Sequence, residues 1–410
     1  LEDFIEENDV FFKQVRIPIT DTAWLVEDFQ FRFRTFSSIA SINSWQSNTD
    51  HWHIDRVYLD LNRNMNDHYT REVSFVEDPP GFIEGFSAMS AKQYQQNISG
   101  LKKDTLPVFV NNLDSVQHNY TYSYYVENLN GSFTYGSDPV TESLAPLAQQ
   151  DVDDYGPFVE APVKLYYSSA TEGDYYQISH MVYDNDSSEV RDTIVTYQEF
   201  SDYLAYDDGT AEAGYGLSPG IAQLAIKYRS ETVDTLWGAQ LYFNKTVADN
   251  NDRLFHLTVW SDNNGIPGNI IYQEKNVRPV FTDGFNRFYD LVFTHPDSVR
   301  LGIQSFYIGW VQTTNHNLNV GFDRNTNSRN KNFYNVLGTW VKSSFEGSIM
   351  IRPLIGTPKV DIPEDSTGKS YKKLVIRPNP PKEKHEVFID LPAVYINNPE
   401  LMQYLTLKIS

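Results

Sequence analysis

Cysteine is absent from this chain of 410 residues, and its absence removes several kinds of chemistry together. Structural disulfides, zinc–thiolate sites and cysteine nucleophiles all require a thiol. No apolar run approaches the roughly eighteen residues that a membrane-spanning helix needs. The G-x-S-x-G, H-E-x-x-H and P-loop patterns are also absent. The sequence therefore predicts a folded protein that carries no recognisable catalytic motif and no transmembrane segment.

Positive charge is scarce: 33 Lys and Arg stand against 54 Asp and Glu, which gives a net charge of −21. This balance argues against nucleic acid or an anionic membrane as a partner, because the chain has few cations with which to release counterions. The carboxylates themselves indicate a solvated acidic surface. His118, His180, His256 and His316 lie far apart in sequence, without a serine or acidic partner at a telling spacing. We predict that the protein is not an enzyme. The alternative is a glycosidase whose two catalytic carboxylates come together only in the folded chain.

Aromatic residues are abundant, with 27 Tyr and 25 Phe. Between residues 206 and 357 they occur with β-branched residues in short runs that Asn, Asp and Gly separate, such as 254–260 and 305–313. Such short runs suit strands rather than helices, and both examples alternate, with Phe306, Ile308 and Trp310 on one side. The prediction is an all-β fold, with a jelly-roll-type β-sandwich in this stretch.

The chain is too long for a single β-sandwich, so we expect tandem modules with one short helix. The polar stretch VDIPEDSTGKS indicates a linker, and two strands are expected around the Pro-Asn-Pro-Pro turn of 373–392. The predicted order is a partial lectin-like β-sandwich (1–75), a connector with a short helix (76–105), an immunoglobulin- or fibronectin-like β-sandwich (106–205), the jelly-roll-type β-sandwich (206–357), the linker (358–372) and the start of a C-terminal domain (373–410).

Local patterns give three finer predictions. Phe29, Phe31 and Phe33 alternate with polar residues and predict a half-buried strand, and 50–61 predicts a second strand. The helix is expected within 87–97, with Ser87 as its N-cap. The chain begins LEDFIEEND in mid-pattern without a signal peptide, so we expect its true start to lie further upstream.

Two groups of residues have the chemistry of metal ligands. His51, His53 and Asp55 would project from one side of a strand and could hold a divalent metal, or they could simply flank core residues and satisfy loop hydrogen bonds. Asp207 and Asp208 open the jelly-roll-type module and Asp323 closes its GFDRN strand, and a structural calcium near these acidic residues is a second possibility.

Asp262 opens an oxygen-rich turn, DNNG, that could add to a calcium site, although a plain hairpin turn explains it more simply. Apart from this optional calcium, the sequence predicts no cofactor. Among the tryptophans, Trp260 and Trp310 lie in apolar strands and are expected in the core, whereas Trp340 beside Gly338 is the better candidate for an exposed sugar-stacking ring.

Three stretches resemble parts of large exported surface proteins of Bacteroidota. DHWHIDRVYLDL (50–61) is similar to a strand of their lectin-like modules, and 206–356 resembles another domain of the same proteins. KLVIRPNPPKEKHEVFIDL (373–391) is similar to the opening of the type A C-terminal sorting domain of the type IX secretion system. The resemblance implies export to the cell surface or outer membrane, with outer-membrane proteins, surface proteins or secretion-system components as partners.

A recurring tripeptide, Asp followed by Ser or Thr and then an apolar residue or Thr, resembles the O-glycosylation signal of such exported proteins. The same pattern also describes a turn that enters a strand. The hydroxyl-bearing residues are Thr22, Thr105, Ser115, Thr193, Thr235, Ser298 and Ser366.

Together these features predict a non-enzymatic, exported cell-surface protein that acts through protein–protein contacts, as an adhesin or as a subunit or cargo of an outer-membrane machine. The alternative is a glycan-binding module or an accessory subunit of a polysaccharide-degrading system. Paired exposed aromatics over a concave sheet would favour sugar, whereas a broad flat patch with a polar rim would favour a protein partner.

Overall fold

The computed structural model describes most of the chain between residues 69 and 357, in the ranges 69–147, 156–165, 167–217, 221–245, 253–284, 286–295, 299–314 and 318–357. It also describes 15, 17–34, 36, 54, 57–61, 67 and the backbone of 375–378 and 387–390. Strands in several sheets make up this part of the chain, with two short helices, so the predicted all-β fold is confirmed. No helix in the described ranges combines the length and the apolar character that a membrane crossing requires.

The first module comprises residues 69–205. Its main sheet has the strand order β2-β10-β9-β5-β6, with β7 also paired to β5, and the pairs β1–β4 and β3–β8 form two small sheets. Its elements are β1 (Val73–Phe75), β2 (Ala88–Met89), α1 (Ala91–Gln96), α2 (Ile98–Leu101), β3 (Thr105–Val108), β4 (Val110–Asn112), β5 (His118–Asn128), β6 (Thr134–Gly136), β7 (Val140–Leu144), β8 (Val159–Pro162), β9 (Tyr175–Asp184) and β10 (Ser187–Phe200).

The core of this module follows from alternation along its long strands. Tyr120, Tyr122 and Tyr124 share one face of β5, and all three are buried. Their rings face the small sheets: the Tyr124 hydroxyl donates to the carbonyl of Pro162, at 3.3 Å. Burial of these large aromatic rings between two layers stabilises the module.

The second module comprises residues 206–357. It has a six-stranded sheet of order β15-β14-β18-β12-β20-β21, opposed by the sheets β16-β13-β17, with β23 also on β13, and β11-β19-β22. Its strands are β11 (Ala213–Gly216), β12 (Gln223–Arg229), β13 (Asp234–Leu241), β14 (Phe255–Asn263), β15 (Ile266–Val277), β16 (Tyr289–Val292), β17 (Arg300–Leu301), β18 (Ser305–Gln312), β19 (Asn319–Asp323), β20 (Asn332–Asn335), β21 (Val341–Lys342), β22 (Ser348–Ile349) and β23 (Ile351–Ile355).

The sequence pattern of this module also holds in three dimensions. Phe306, Ile308 and Trp310 are fully buried on the inner face of β18, and the Tyr228 hydroxyl crosses the core to the carbonyl of Ile351, at 2.8 Å. Between β14 and β15 the turn residues Asn264 and Gly265 have φ of 53° and 88°. These left-handed conformations fit a two-residue hairpin, so the simpler interpretation of the DNNG turn is confirmed.

The segment 76–105, predicted as a connector, is built into the first module. Phe82, Tyr94 and Leu101 are buried in the core of the first module. Their burial is favourable because it removes apolar side chains from water. Helix α1 begins after Ser90, so Ser87 is not its N-cap. The Ser87 hydroxyl instead donates to the carbonyls of Ala205 and Asp207.

The segment before residue 69 departs from its prediction where it is described. No strand occurs within 29–34 or 57–61, and the side chains of Phe31 and Phe33 are about half exposed, at 50% and 52%. Alternation alone gives no strand there, because no neighbouring strand is placed beside these residues in the described ranges. Within 373–392 the two expected strands are present as an antiparallel pair of β24 (Val375–Pro378) and β25 (Val387–Asp390).

The two modules are packed against each other. Ala88, Tyr203 and Ala205 of the first module form a buried cluster with Trp237 and Leu354 of the second. Backbone bonds continue the contact, from the amide of residue 204 to the carbonyl of residue 353 at 3.1 Å, and from the amide of residue 355 to the carbonyl of residue 202 at 2.7 Å. The two modules therefore have separate main sheets, but side-chain packing and backbone hydrogen bonds continue from one module to the other.

Candidate functional site

Asp207, the first acidic residue of the second module, is used in a buried ion pair. The Nε of Arg352 lies 3.1 Å from both carboxylate oxygens of Asp207, and both side chains are almost fully buried. The guanidinium also stacks over the ring of Phe288, at 3.9 Å from its centroid. The guanidinium of Arg352 therefore neutralises the charge of the Asp207 carboxylate, so this carboxylate needs no metal ion for charge balance.

Asp208 and Asp323 lie next to this pair. The buried Asp323 carboxylate accepts hydrogen bonds from the amide of Asp208 at 2.7 Å and from the Thr326 hydroxyl at 2.6 Å. Burial, and after it the charge of Asp208, raises the pKa of Asp323 to about 7. Burial and the same charge also raise the pKa of Asp78. The structure thus brings Asp207, Asp208 and Asp323 together, while the calcium ion predicted for them stays a prediction.

Asp262 lies on a different sheet from Asp323. Its carboxylate accepts from the Tyr307 hydroxyl at 2.9 Å and from the Gly265 amide at 3.2 Å, and it pairs with Lys227 at 3.1 Å. The hydrogen bonds to Tyr307, Gly265 and Lys227 outweigh partial burial and lower its pKa. Asp262 therefore closes the hairpin turn rather than joining the acidic cluster. His51, His53 and Asp55 lie outside the described residues.

The tryptophans of the second module form no exposed platform in the described ranges. Trp237, Trp260 and Trp310 are buried, as expected for Trp260 and Trp310. Trp340 is half-buried and packs edge-on against Trp260, with 5.5 Å between ring centroids. A ring held in this way presents only part of its surface to a sugar.

The tripeptides with Asp before Ser or Thr show the turn chemistry that the pattern suggests. Asp114, Asp192 and Asp234 each accept a hydrogen bond from the amide of the following residue, at 2.6, 2.7 and 3.0 Å. The hydroxyl-bearing residues Thr22, Thr105, Ser115 and Thr193 are nevertheless exposed, and Thr235 is partly buried. Ser298 and Ser366 lie outside the described residues.

One polar cluster has no counterpart in the sequence predictions. His118, at the start of β5, lies between two carboxylates, with Nε2 at 2.9 Å from Asp114 and Nδ1 at 3.4 Å from Asp184. Arg71 also reaches Asp184, at 3.1 Å. The spacing Asp-x-x-x-His at 114–118 is the one sequence signal for this cluster, whereas Asp184 arrives through the pairing of β5 with β9. From the sequence we identify no acidic partner of His118 at a telling spacing, and the fold supplies two, Asp114 and Asp184.

The outer surface of the main sheet in the first module is open to solvent. Tyr125, Ser179 and Val195 stand side by side across β5, β9 and β10, and Ser123, Met181 and Thr193 form the next row. The large apolar side chains of this surface are exposed, from Met181 at 37% to Tyr197 at 44%. We call this surface, which carries Tyr125, Met181, Val195 and Tyr197, the open sheet face.

Polar side chains border the open sheet face. Glu127 and Gln177 lie opposite each other in the row that contains Tyr197, and Glu199 lies opposite Tyr175 at the end of the pairing. Tyr175 and Tyr197 stack on each other, with 5.2 Å between centroids and 13° between ring planes. The result is an antiparallel surface with Tyr, Met and Val at its centre and charged or amide groups at its margin.

Comparison of the chain with protein-family models and with curated proteins gave no match in either case. The class that the fold defines is that of an all-β protein of several sheets, with two modules packed together.

Proposed function

We propose that this chain is a non-enzymatic, exported cell-surface protein of Bacteroidota that acts through protein–protein contacts, as an adhesin or as a subunit or cargo of an outer-membrane machine. The single observation that carries the contact function is the open sheet face. Tyr and Met are enriched in protein interfaces, and contiguous exposed apolar surface on a folded protein is a marker of binding. The resemblance of 373–391 to a sorting domain supports export.

The composition of the face favours a protein over a sugar. Sugar stacking needs a free aromatic ring face, but Tyr175 and Tyr197 stack on each other, so each ring has one of its two faces covered. An exposed apolar centre with a polar margin matches the anatomy of protein interfaces. The acidic surface, with its net charge of −21, favours partners with basic surfaces and gives a salt-dependent association rate.

The test is recovery of partners from outer membranes with a tagged wild-type chain and two variants. Met181→Lys places a charge at the centre of the open sheet face and should abolish recovery of the partners. Ile270→Lys places the same charge at an exposed position of β15 in the second module and should leave recovery unchanged. Equal recovery by all three proteins, or binding to a glycan array in place of protein partners, would refute the proposal.

O-glycosylation of the Asp-Ser/Thr tripeptides belongs to the same proposal. The exposure of Thr22, Thr105 and Ser115 gives an enzyme access to these hydroxyls. Thr193 is also exposed, but it lies opposite Met181 on the open sheet face, so a glycan on Thr193 and a protein partner on this face exclude each other. Thr235 should be modified least, because it is partly buried at the start of β13. Intact-mass measurement of protein from its own host decides the matter, since the mass of the bare polypeptide would show that the tripeptides serve only as turns.

A further inference from the structure

We propose that His118, Asp184 and Asp186 form a binding site for one divalent transition-metal ion at the end of the main sheet in the first module. One ligand atom from each of the three residues lies within 4.8 Å of the others. It is the one such group of His and acidic residues among the described residues. This inference is separate from the proposed contact function and does not depend on it.

The fold supplies the three side chains from the ends of neighbouring elements. His118 is the first residue of β5, and Asp184 is the last residue of β9. Asp186 follows in the tight turn to β10, and its amide donates to the Asp184 carboxylate at 2.8 Å. In the pairing of β5 with β9, Tyr120 lies opposite Asp184, so the sheet register brings His118, two residues before Tyr120, close to the Asp184 carboxylate. Backbone pairing therefore positions His118 and Asp184, and the tight turn after β9 positions Asp186.

The contacts of the His118 ring assign its nitrogens. At 2.9 Å from the Asp114 carboxylate, Nε2 carries the proton and donates it. The other ring nitrogen, Nδ1, lies 3.4 Å from the Asp184 carboxylate. A metal ion that binds at this point would take the place of a proton on Nδ1 and would contact both Nδ1 and the carboxylate. An imidazole that donates one N–H to a carboxylate and offers the other nitrogen to a metal is the usual arrangement of histidine ligands.

The distance between the two candidate ligand atoms also fits a metal. Two ligands that each lie about 2.1 Å from a zinc ion and 3.4 Å from each other subtend an angle of about 108° at the ion, close to tetrahedral. One imidazole nitrogen with two carboxylate oxygens suits Zn²⁺, Co²⁺ or Mn²⁺ better than Ca²⁺, which prefers oxygen ligands alone. Asp186 is exposed, so remaining coordination positions are open to water.

Arg71 is the competing cation at this site. Its guanidinium reaches the Asp184 oxygen that faces His118, at 3.1 Å, but its side chain is 47% exposed and can turn towards solvent. Removal of Arg71 should therefore strengthen metal binding, because one positive charge no longer competes for the carboxylate. If the cluster were only an ion-pair network, removal of Arg71 would leave metal affinity absent.

The test is titration of the chelator-treated chain with Co²⁺ and then Zn²⁺, read by visible absorption and by calorimetry. We expect one ion per chain, displacement of Co²⁺ by Zn²⁺ and a rise in the melting temperature. His118→Gln and Asp186→Asn should each weaken affinity by about tenfold or more, and Arg71→Gln should strengthen it. Asp138→Asn, at an exposed carboxylate of the same module that pairs with Lys164, is the matched control and should bind like wild type.

Several results would overturn the site. These are the absence of saturable binding to the wild-type chain, an affinity unaffected by Asp186→Asn, or a preference for Ca²⁺ over Zn²⁺. Asp186 makes no side-chain hydrogen bond within the described residues, so Asp186→Asn should fold even if His118→Gln does not. Circular dichroism of each variant confirms that the comparison is made between folded proteins.

Discussion

Arg352 shows at the scale of one residue how the two modules are held. Its guanidinium lies between the ring of Phe288, at 3.9 Å, and the ring of Tyr203, at 5.0 Å, while its Nε reaches both oxygens of Asp207. Tyr203 belongs to the first module and Phe288 to the second. The stability of a buried ion pair depends on the presence of both charges, because no water is available to solvate one charge if the other is removed.

Replacement of Arg352 by Met should lower the free energy of unfolding by about 3–5 kcal/mol, since it leaves the Asp207 carboxylate buried without a cation. Chemical denaturation measures the effect. Arg329→Met is the matched control, because Arg329 pairs with Glu346 at the surface, and it should cause no measurable change. A loss for Arg352→Met as small as that of the control would mean that the ion pair is not what stabilises the junction.

His180 gives a prediction about pH. Burial lowers the pKa of His180 to about 3. Its ring is held between the Tyr122 hydroxyl at 2.7 Å and the Thr196 hydroxyl at 2.9 Å. In the unfolded chain the pKa of a histidine is about 6.5, so below that pH the unfolded state binds a proton that the folded state does not. The folded state should therefore lose stability as the pH falls from about 6.5 towards 3, by up to about 1.4 kcal/mol per pH unit.

Comparison with His180→Gln isolates this contribution. The variant should have a lower free energy of unfolding than wild type at pH 7. The difference in this free energy should become smaller as the pH falls, because only wild type has the titrating group. His295→Gln, at an exposed histidine, should follow the wild-type pH profile. Denaturation series at several pH values measure both, and a difference that stays constant with pH would contradict the assignment.

At the scale of elements, helix α1 connects the modules although it spans only six residues. The Gln93 side chain is fully buried, and its Oε1 accepts from the amides of Glu231 at 2.6 Å and Thr232 at 3.2 Å. Its Nε2 donates to the Asp234 carboxylate at 3.0 Å. A side chain from a helix of the first module thus forms hydrogen bonds with backbone amides of the turn before β13 in the second module.

Gln93→Ala should destabilise the protein by about 2–3 kcal/mol, because each buried amide left without an acceptor costs about 1–3 kcal/mol. Gln96→Ala, at an exposed position of the same helix, controls for helix propensity and should be near neutral. Urea denaturation followed by tryptophan fluorescence reports the second module and the segment before residue 69, since no tryptophan occurs in 69–205. Equal effects of the two substitutions would refute the bridging role.

The strand of 305–313 was predictable from its alternation, because β18 is present and Phe306, Ile308 and Trp310 are buried together. The burial of Tyr307 on the opposite face was not predictable, because it depends on packing against Trp260 and Phe333. The start of α1 was predicted three residues early, because the Ser87 hydroxyl has a tertiary partner that no local pattern reveals. The pairing of His118 with Asp184 was beyond prediction for the same reason, since it depends on sheet register.

At the scale of the whole molecule, the segment after residue 357 is expected to act separately from the two modules. If 373–410 carries the export signal, a chain that ends at Thr357 should remain in the periplasm with both modules folded. The polar linker of 358–372 supports this independence. Cell fractionation locates the truncated chain, and its tryptophan fluorescence should match that of the full chain, since no tryptophan follows residue 357. Normal delivery of the truncated chain to the cell surface would refute the sorting role.

The placement of β23 has a mechanical consequence. A pulling force applied beyond Thr357 enters the folded part through this strand, which is held on one edge by β13 and on the other by residues 202–204. Force along a strand loads the hydrogen bonds on both edges at once, so they must rupture together rather than one after another. Because one of those edges belongs to the segment that joins the modules, tension from the C-terminal side is shared by both modules from the start.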